Sequence, residues 1–178
     1  MTEPSTVHLP VFYTCTVATH DGPPLEIAWG SLAYETYGVM CGSYLVRPPA
    51  AWISEFARDA AALQRHGLAV SDLRDFGTSP HDIAAHMNED LAQRDLFSVV
   101  PEDDGRIRRI FDAAKVAPNF ALHITDADEL IAELARLQRL PHATMARARR
   151  EAEVMCLTVR EAKVRFLATY WGLVAWRH

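Results

Sequence analysis

The chain has 178 residues, 49% of them apolar, and a formal net charge of −5. This length accommodates one sizeable core and is short for two full domains, so we expect a single domain over residues 1–178. Residues 133–178 contain nine Lys or Arg against four Asp or Glu, whereas residues 1–132 contain nine against 19. The acidic balance argues against a protein that coats nucleic acid with bulk positive charge, and it places the basic character in the C-terminal part.

The cysteines and the lengths of the apolar runs indicate the cellular compartment of the protein. Cys15, Cys41 and Cys156 are widely spaced and form no Cys-x-x-Cys pair, so we expect reduced thiols. Reduced thiols are typical of cytoplasmic proteins. The first eight residues lack the features of a signal peptide, and no apolar run approaches the roughly 18 residues that a membrane span needs. The sequence therefore predicts a cytoplasmic protein without a membrane partner.

The first quarter of the chain predicts three strands. Residues Val11–Thr19 are apolar and β-branched, and turn residues follow them. Leu25–Tyr34 and Tyr37–Val46 continue the pattern up to a Pro-Pro pair, which cannot donate to a β-ladder. These segments predict an antiparallel meander.

The remainder alternates helical periodicity with two short strands. Helices are predicted from Ala51, Pro80, Asp104, Asp126 and Thr144, with strands at Leu96–Val100 and Phe120–Ile124 and a connector at Ser71–Gly77. Ser79 and Pro80 are typical of a capped helix start. The order of elements predicts an α/β fold, with a mixed sheet of about five strands flanked by helices.

Several short strings occur in a characteristic order. They are Leu25–Trp29, Tyr44–Pro48, His66–Leu68 with the later Asp72 and Gly77, Phe97–Pro101, and His142 before an Arg-rich helix. In this order the chain resembles, over roughly Leu9 to Met155, the DEDDh-type 3′-to-5′ exonucleases, the family that includes the proofreading subunit of bacterial DNA polymerase III. The resemblance implies a ribonuclease H-like sheet with three antiparallel strands followed by parallel ones.

The resemblance also implies where a catalytic site would lie. In that family four acids hold two divalent cations, and a histidine serves as general base. The resemblance places the acid positions on Thr14, Thr16, Val99 and Arg147, and the base on His142. Because none of the four residues is acidic, the resemblance implies an inactive relative with no resident metal, in which His142 is a relic of the base.

Arginines are the candidate binding residues of such a protein. Arg147, Arg150 and Arg106 are candidate phosphate contacts, since a guanidinium binds phosphate in a bidentate manner. The alternative interpretation of Arg106, with Arg108 and Arg109, is a solvated helix face. A cleft with these arginines would bind single-stranded nucleic acid, a nucleotide or a protein partner.

Two other hypotheses stay open at this point. One is an active metal-dependent 3′-to-5′ exonuclease whose Mg²⁺ or Mn²⁺ ligands have moved to acids such as Asp21, Asp103 or Asp104. The other is a structural or regulatory subunit that binds no nucleic acid, which the acidity of residues 1–132 favours. The C-terminal helix, residues 157–178, would then serve for packing or for association with a partner or a second copy.

Overall fold

A five-stranded mixed sheet forms the centre of the protein. The computed structural model describes residues 10–32, 39–58, 60–92, 94–98, 100–125, 127–137, 141–156 and 162–175. The strands are β1 (Val11–Val17), β2 (Pro24–Leu32), β3 (Val39–Leu45), β4 (Asp95–Ser98) and β5 (Ala121–Ile124). Their order in the sheet is β3-β2-β1-β4-β5. The first three pair antiparallel, and β4 and β5 continue parallel to β1, which confirms the predicted fold class.

Helices lie on both faces of this sheet. They are α1 (Ala50–Arg58), α2 (Ala60–Arg65), α3 (Val70–Phe76), α4 (Pro80–Asp90), α5 (Asp103–Ala114), α6 (Ala127–Leu137), α7 (His142–Cys156) and α8 (Ala162–Ala175). Helix α4 begins as predicted, because the Ser79 hydroxyl accepts a hydrogen bond from the backbone N–H of Asp82 at 3.2 Å.

One predicted connector is a helix. Residues 71–76 of the predicted connector Ser71–Gly77 fall in α3, and Gly77 follows its end, so the connector prediction is wrong. The Asp72 carboxylate accepts a bond from the backbone N–H of Ala69 at 2.6 Å and thereby stabilises the first turn. Leu73 is fully buried and anchors this short helix to the core. Seven residues with one fully buried apolar side chain contain too few repeats to show a helical period.

The alternation of side chains along β1 divides the core into two parts. Val11 and Tyr13 pack with Ile27 on one face, which we call the α5 face because α5 covers part of it together with α1, α3 and α4. Phe12 packs with Ala28 on the opposite face, the α8 face, against residues of α8. Each large side chain that is fully buried in this way stabilises the fold by about 1.5–3 kcal/mol.

Helix α8 completes the second face. Its residues Leu167 and Ala168 contact the sheet, and Tyr170 packs with residues of α6 and α7. Helix α8 therefore packs against the rest of the fold. Residues 157–161 and 176–178 of the predicted C-terminal helix lie outside the described part. None of the helices in the described ranges combines the length and the apolar character that crossing a membrane requires.

Candidate functional site

The carboxyl ends of β1 and β4 meet the first turn of α5 on the α5 face. In open α/β sheets, ligands bind in the crevice beyond the carboxyl ends of strands. Five residues meet here: Tyr13 and Cys15 of β1, Ser98 at the end of β4, and Asp103 and Arg106 of α5. We call this set the β1–α5 junction.

A buried ion pair forms the centre of the junction. Asp103 is completely buried, and Arg106 is 8% exposed. Arg106 Nη1 donates to Asp103 Oδ1 at 2.7 Å, and the Ser98 hydroxyl donates to Asp103 Oδ2. The second guanidinium nitrogen, Nη2, donates to the backbone carbonyl of His20 at 3.3 Å. Both oxygens of the carboxylate are therefore bonded, and the fork of Arg106 connects α5 to the turn after β1.

The two β1 residues beside this pair are uncharged at neutral pH. Burial, followed by the neighbouring Cys15 thiol and the Asp103 carboxylate, raises the pKa of Tyr13 well above its ordinary value. Burial and the charge of Asp103 raise the pKa of the Cys15 thiol to about 12. The Tyr13 hydroxyl and Arg106 Nε are buried and have no hydrogen-bond partner within the described part of the chain. The junction is thus neutral overall, with two unused polar atoms.

These donors do not fit the divalent cations that an exonuclease site displaced to Asp103 would hold. Mg²⁺ and Mn²⁺ prefer several carboxylate oxygens. The junction offers one carboxylate, which Ser98 and Arg106 already bind, together with a neutral phenol, a neutral thiol and a guanidinium. Among the residues that the structure describes, no group of three or more His, Cys, Asp or Glu could hold a metal ion.

An open cavity of about 290 Å³ lies beside the junction. It is lined by His20, Asp21, Gly22, Glu102, Gly105, Arg106 and Arg109. Charges of both signs meet in it, and His20 Nε2 lies 3.5 Å from a carboxylate oxygen of Glu102. Arg109 is held by two bonds to Glu55, at 2.8 and 2.9 Å, and lies over the ring of Trp52. The arginines of this cavity are therefore occupied by protein partners.

The structure places Thr14 and Thr16 away from the junction. Both are partly buried, and they pair with Ala28 and Glu26 of β2. Because side chains alternate along a strand, they share the α8 face with Phe12, opposite Tyr13 and Cys15. Val99, the third position that the resemblance suggested, lies outside the described residues. The sequence reasoning missed Tyr13, Cys15 and Ser98 as neighbours of Asp103.

Three predicted residues belong to α7. His142 begins this helix, and its side chain lies outside the description. The Arg147 side chain is 70% exposed and its Nε lies 3.3 Å from a carboxylate oxygen of Glu151, one turn further on. Arg150 is exposed as well. The helix packs through Ala148 and Ala152 into the layer formed with α6 and α8, so these arginines lie across the sheet from Asp103.

The prediction that Arg106, Arg108 and Arg109 form a solvated face of α5 is only partly correct. Arg108 is exposed and binds Asp104 at 2.9 Å, in the way that a surface pair four residues apart does. The exposure predicted for Arg106 is wrong, because this residue is buried on Asp103, three residues before it. The two neighbouring acids considered as displaced metal ligands also separate: Asp103 is buried, and Asp104 pairs at the surface.

Comparisons with known proteins identify the fold. No protein-family model matches the chain, and no curated protein matches it. The chain is similar to E. coli exonuclease I in complex with a dT13 oligonucleotide, with a TM-score of 0.52 and 14% identity over 70% of this chain and 29% of that one. The complex of the same enzyme with a 5cy-dA13 oligonucleotide gives a TM-score of 0.50 and 15% identity over 72% and 30%. The chain spans less than a third of these exonuclease chains, and the likeness shows an exonuclease-like, ribonuclease H-like fold alone.

Proposed function

We propose that the protein binds single-stranded nucleic acid on an exonuclease-like fold and does not hydrolyse it. The observation that carries this proposal is the state of Asp103. It is the one carboxylate of the β1–α5 junction, and Ser98 and Arg106 bind both of its oxygens. The positions that the resemblance assigns to the metal-binding acids hold no acid, and an active hydrolase with displaced ligands would need Asp103 free to hold cations. A carboxylate closed by an arginine does not supply that chemistry.

The exposed arginines of α7 support the binding part of the proposal. Arg147 and Arg150 lie in the segment of the chain that is net positive. A surface ion pair such as the one between Arg147 and Glu151 contributes only about 0–1 kcal/mol, so a phosphate replaces Glu151 at little cost. The exonuclease I structures of similar fold contain oligonucleotides, which makes a single strand the first ligand to test.

A regulatory subunit without nucleic-acid binding is the second candidate. It is favoured by the excess of acidic residues in residues 1–132. A surface of that charge repels phosphate at a distance, and the repulsion is strongest at low ionic strength.

The experiment follows the fluorescence anisotropy of an oligothymidylate labelled at its 5′ end after the protein and Mn²⁺ are added. We expect a rapid rise that stays constant, an intact strand on a denaturing gel, and affinity that decreases as salt increases, because phosphate contacts release counterions. A decay that a chelator prevents would show hydrolysis and would disprove the proposal. The absence of any rise would favour the regulatory subunit.

A further inference from the structure

Strand β3 forms one edge of the sheet and has none of the features that protect an edge from pairing. It is the outermost strand, and β2 is its one strand partner in the described part of the chain. Its residues, Val39–Leu45, include no charged residue and no proline. Its register with β2 is unbroken, so no bulge twists the edge away. Proteins protect an exposed edge with charges, proline or bulges, because its backbone groups otherwise bind another strand.

Hydrogen bonds at the end of β3 show which backbone groups point away from the sheet. The Leu45 carbonyl accepts a bond from the Thr78 N–H at 2.7 Å on the outer side, whereas the next N–H, that of Val46, donates to the Leu25 carbonyl of β2 at 2.8 Å. The backbone groups of successive residues in a strand point to opposite sides. The residues of β3 whose backbone groups point outward are therefore Val39, Cys41, Ser43 and Leu45.

The bond to Thr78 limits the stretch that another strand can join. Leu45 already bonds to Thr78, so a new strand can pair with β3 from Val39 to Ser43. The middle residue of this stretch is Cys41, whose side chain packs on the α8 face, so that a ladder uses only its backbone. An antiparallel copy of the same stretch brings Val39 opposite Ser43 of the second copy and Cys41 opposite its equivalent. A two-fold axis at Cys41 therefore repeats each bond of the ladder symmetrically.

This register also places a protruding side chain opposite a gap. Met40 and Gly42 lie on either side of Cys41 and share the α5 face, where Gly42 pairs with Trp29. Each Met40 therefore lies opposite Gly42 of the second copy. Met40 is 69% exposed, and an open cavity of about 350 Å³ beside Gly42 is lined in part by Trp29 and Tyr44. The flexible Met40 side chain of one copy fits this cavity in the other, where its sulfur contacts aromatic rings.

We propose that β3 is a dimerisation edge, at which two copies of the chain pair antiparallel about Cys41 and form one continuous sheet. Two uncharged strands meet without repulsion although the chain carries a net charge of −5, and the fit of Met40 to Gly42 is reciprocal. The paired stretch is short compared with a stable interface of about 1,200–2,000 Å², so the association should be weak and depend on concentration. The proposal goes beyond the proposed function, because dimerisation requires no nucleic acid.

Sedimentation velocity of the full chain over a range of concentrations tests the proposal, with a reducing agent present so that no disulfide links the copies. The wild-type mass should rise from 19.9 kDa towards twice that value as the concentration increases. Met40→Glu should keep the mass of one chain, because the two-fold axis brings two carboxylates close together. Val154→Glu and Ile124→Glu are matched controls that should dimerise like the wild type, since Val154 is exposed on α7 and Ile124 is exposed on β5, the opposite edge of the sheet.

Three results would overturn the proposal. The first is a wild-type protein that keeps the mass of one chain at every concentration. The second is a Met40→Glu variant that dimerises as the wild type does. The third is a dimer that Ile124→Glu abolishes and Met40→Glu does not, which would place the interface at β5.

Amide hydrogen exchange of the wild-type protein decides the question if Met40→Glu does not fold. The Ser43 N–H points outward, so it should exchange more slowly in a concentrated than in a dilute solution. The Tyr44 N–H points towards β2 and is the internal control, because its exchange should change much less. Equal exchange of the Ser43 N–H at both concentrations would overturn the proposal. The oligonucleotide experiment tests the proposed function separately from either measurement.

Discussion

The two sides of the sheet hold their arginines in opposite ways. On the α5 face, Arg106 is buried and shares Asp103 with the Ser98 hydroxyl. In the helical layer over the α8 face, Arg147 is 70% exposed, and its ion pair lies within its own helix. The first arginine is bound by a carboxylate of its own helix and by a backbone carbonyl of the turn after β1, and the second is paired with a residue one turn along its own helix. This difference distinguishes an arginine that stabilises the fold, Arg106, from an arginine that is accessible to a ligand, Arg147.

Burial explains why the two kinds of pair respond differently to change. Removing one partner of a buried pair leaves an uncompensated charge at low dielectric, which costs about 3–5 kcal/mol. An exposed pair contributes at most about 1 kcal/mol, because water solvates both ions and salt screens them. Substitutions on the two faces should therefore give effects of different size and on different measurements.

The largest expected effect is on Asp103. Asp103→Ala leaves the Arg106 guanidinium buried without its carboxylate, so we expect the free energy of unfolding to fall by about 3–5 kcal/mol. Equilibrium unfolding in urea measures this loss. Asp104→Ala is the control, because its carboxylate pairs with Arg108 at the surface and should cost less than about 1 kcal/mol. Equal losses in the two variants would contradict the distinction between buried and exposed pairs.

The second expected effect is a loss of stability at alkaline pH. The Cys15 thiol titrates near 9 when exposed, and burial with the charge of Asp103 raises its pKa to about 12 in the folded protein. Between these values the unfolded chain binds fewer protons than the folded chain, so stability decreases as the pH rises from 9 towards 12. Each unit of pKa difference is equivalent to about 1.4 kcal/mol, so the total loss is of the order of a few kcal/mol.

Cys15→Ala tests the origin of this alkaline loss. Urea midpoints of both proteins should be measured from pH 7 to pH 11. The variant should be somewhat less stable at pH 7, because a side chain is removed from the core, but its stability should decrease less steeply above pH 9. Tyr13, whose pKa is also raised, still contributes above pH 10. Parallel curves for the two proteins would show that Cys15 does not titrate as expected.

The sequence predicts the fold well and the junction poorly, for physical reasons. The cap of α4 at Ser79 and Pro80 is a local signal, and it is present as predicted. Strand β1 is different, because Thr14, Cys15 and Thr16 are all compatible with a strand and both faces of the sheet are covered. A strand without polar and apolar alternation does not reveal which side chains point to which face. Successive side chains of a strand point to opposite faces, so Thr14 and Thr16 lie on one face of the sheet and Tyr13 and Cys15 on the other. An error of one residue in the assignment of the strand exchanges the two faces.

One signal in the sequence could have identified the ion pair. Asp103 and Arg106 are three residues apart, a spacing that brings side chains together on a helix. The same spacing rule applies to Asp104 and Arg108, which pair at the surface. Spacing therefore indicates that a pair forms and does not indicate its burial, which depends on the packing of α5 against β1 and β4. The burial of the pair is therefore seen only in the folded structure.

The third expected effect concerns binding through α7. Arg147→Ala together with Arg150→Ala should weaken oligonucleotide binding by about 1–3 kcal/mol and reduce its dependence on salt, because charge-assisted phosphate contacts are lost. Anisotropy titrations at several salt concentrations measure both quantities. Arg108→Ala is the matched control, since its side chain is similarly exposed, at 73% against 70%, and also pairs four residues away. An equal loss in the control would place the binding surface elsewhere.

The smallest expected effect is that of Tyr13→Phe. The Tyr13 ring is fully buried in the core, and its hydroxyl has no hydrogen-bond partner within the described part of the chain. The hydroxyl therefore loses its hydration on folding and has only the weakly bonding Cys15 thiol beside it, and its removal should leave stability unchanged or raise it by about 1 kcal/mol. Urea unfolding at pH 7 measures the change, with the partly exposed Tyr44→Phe as the control for loss of a phenolic hydroxyl. A decrease in the free energy of unfolding above about 1 kcal/mol for Tyr13→Phe, but not for Tyr44→Phe, would show that the Tyr13 hydroxyl is bonded within the junction. The stability of the junction would then depend on more than the ion pair of Asp103 and Arg106.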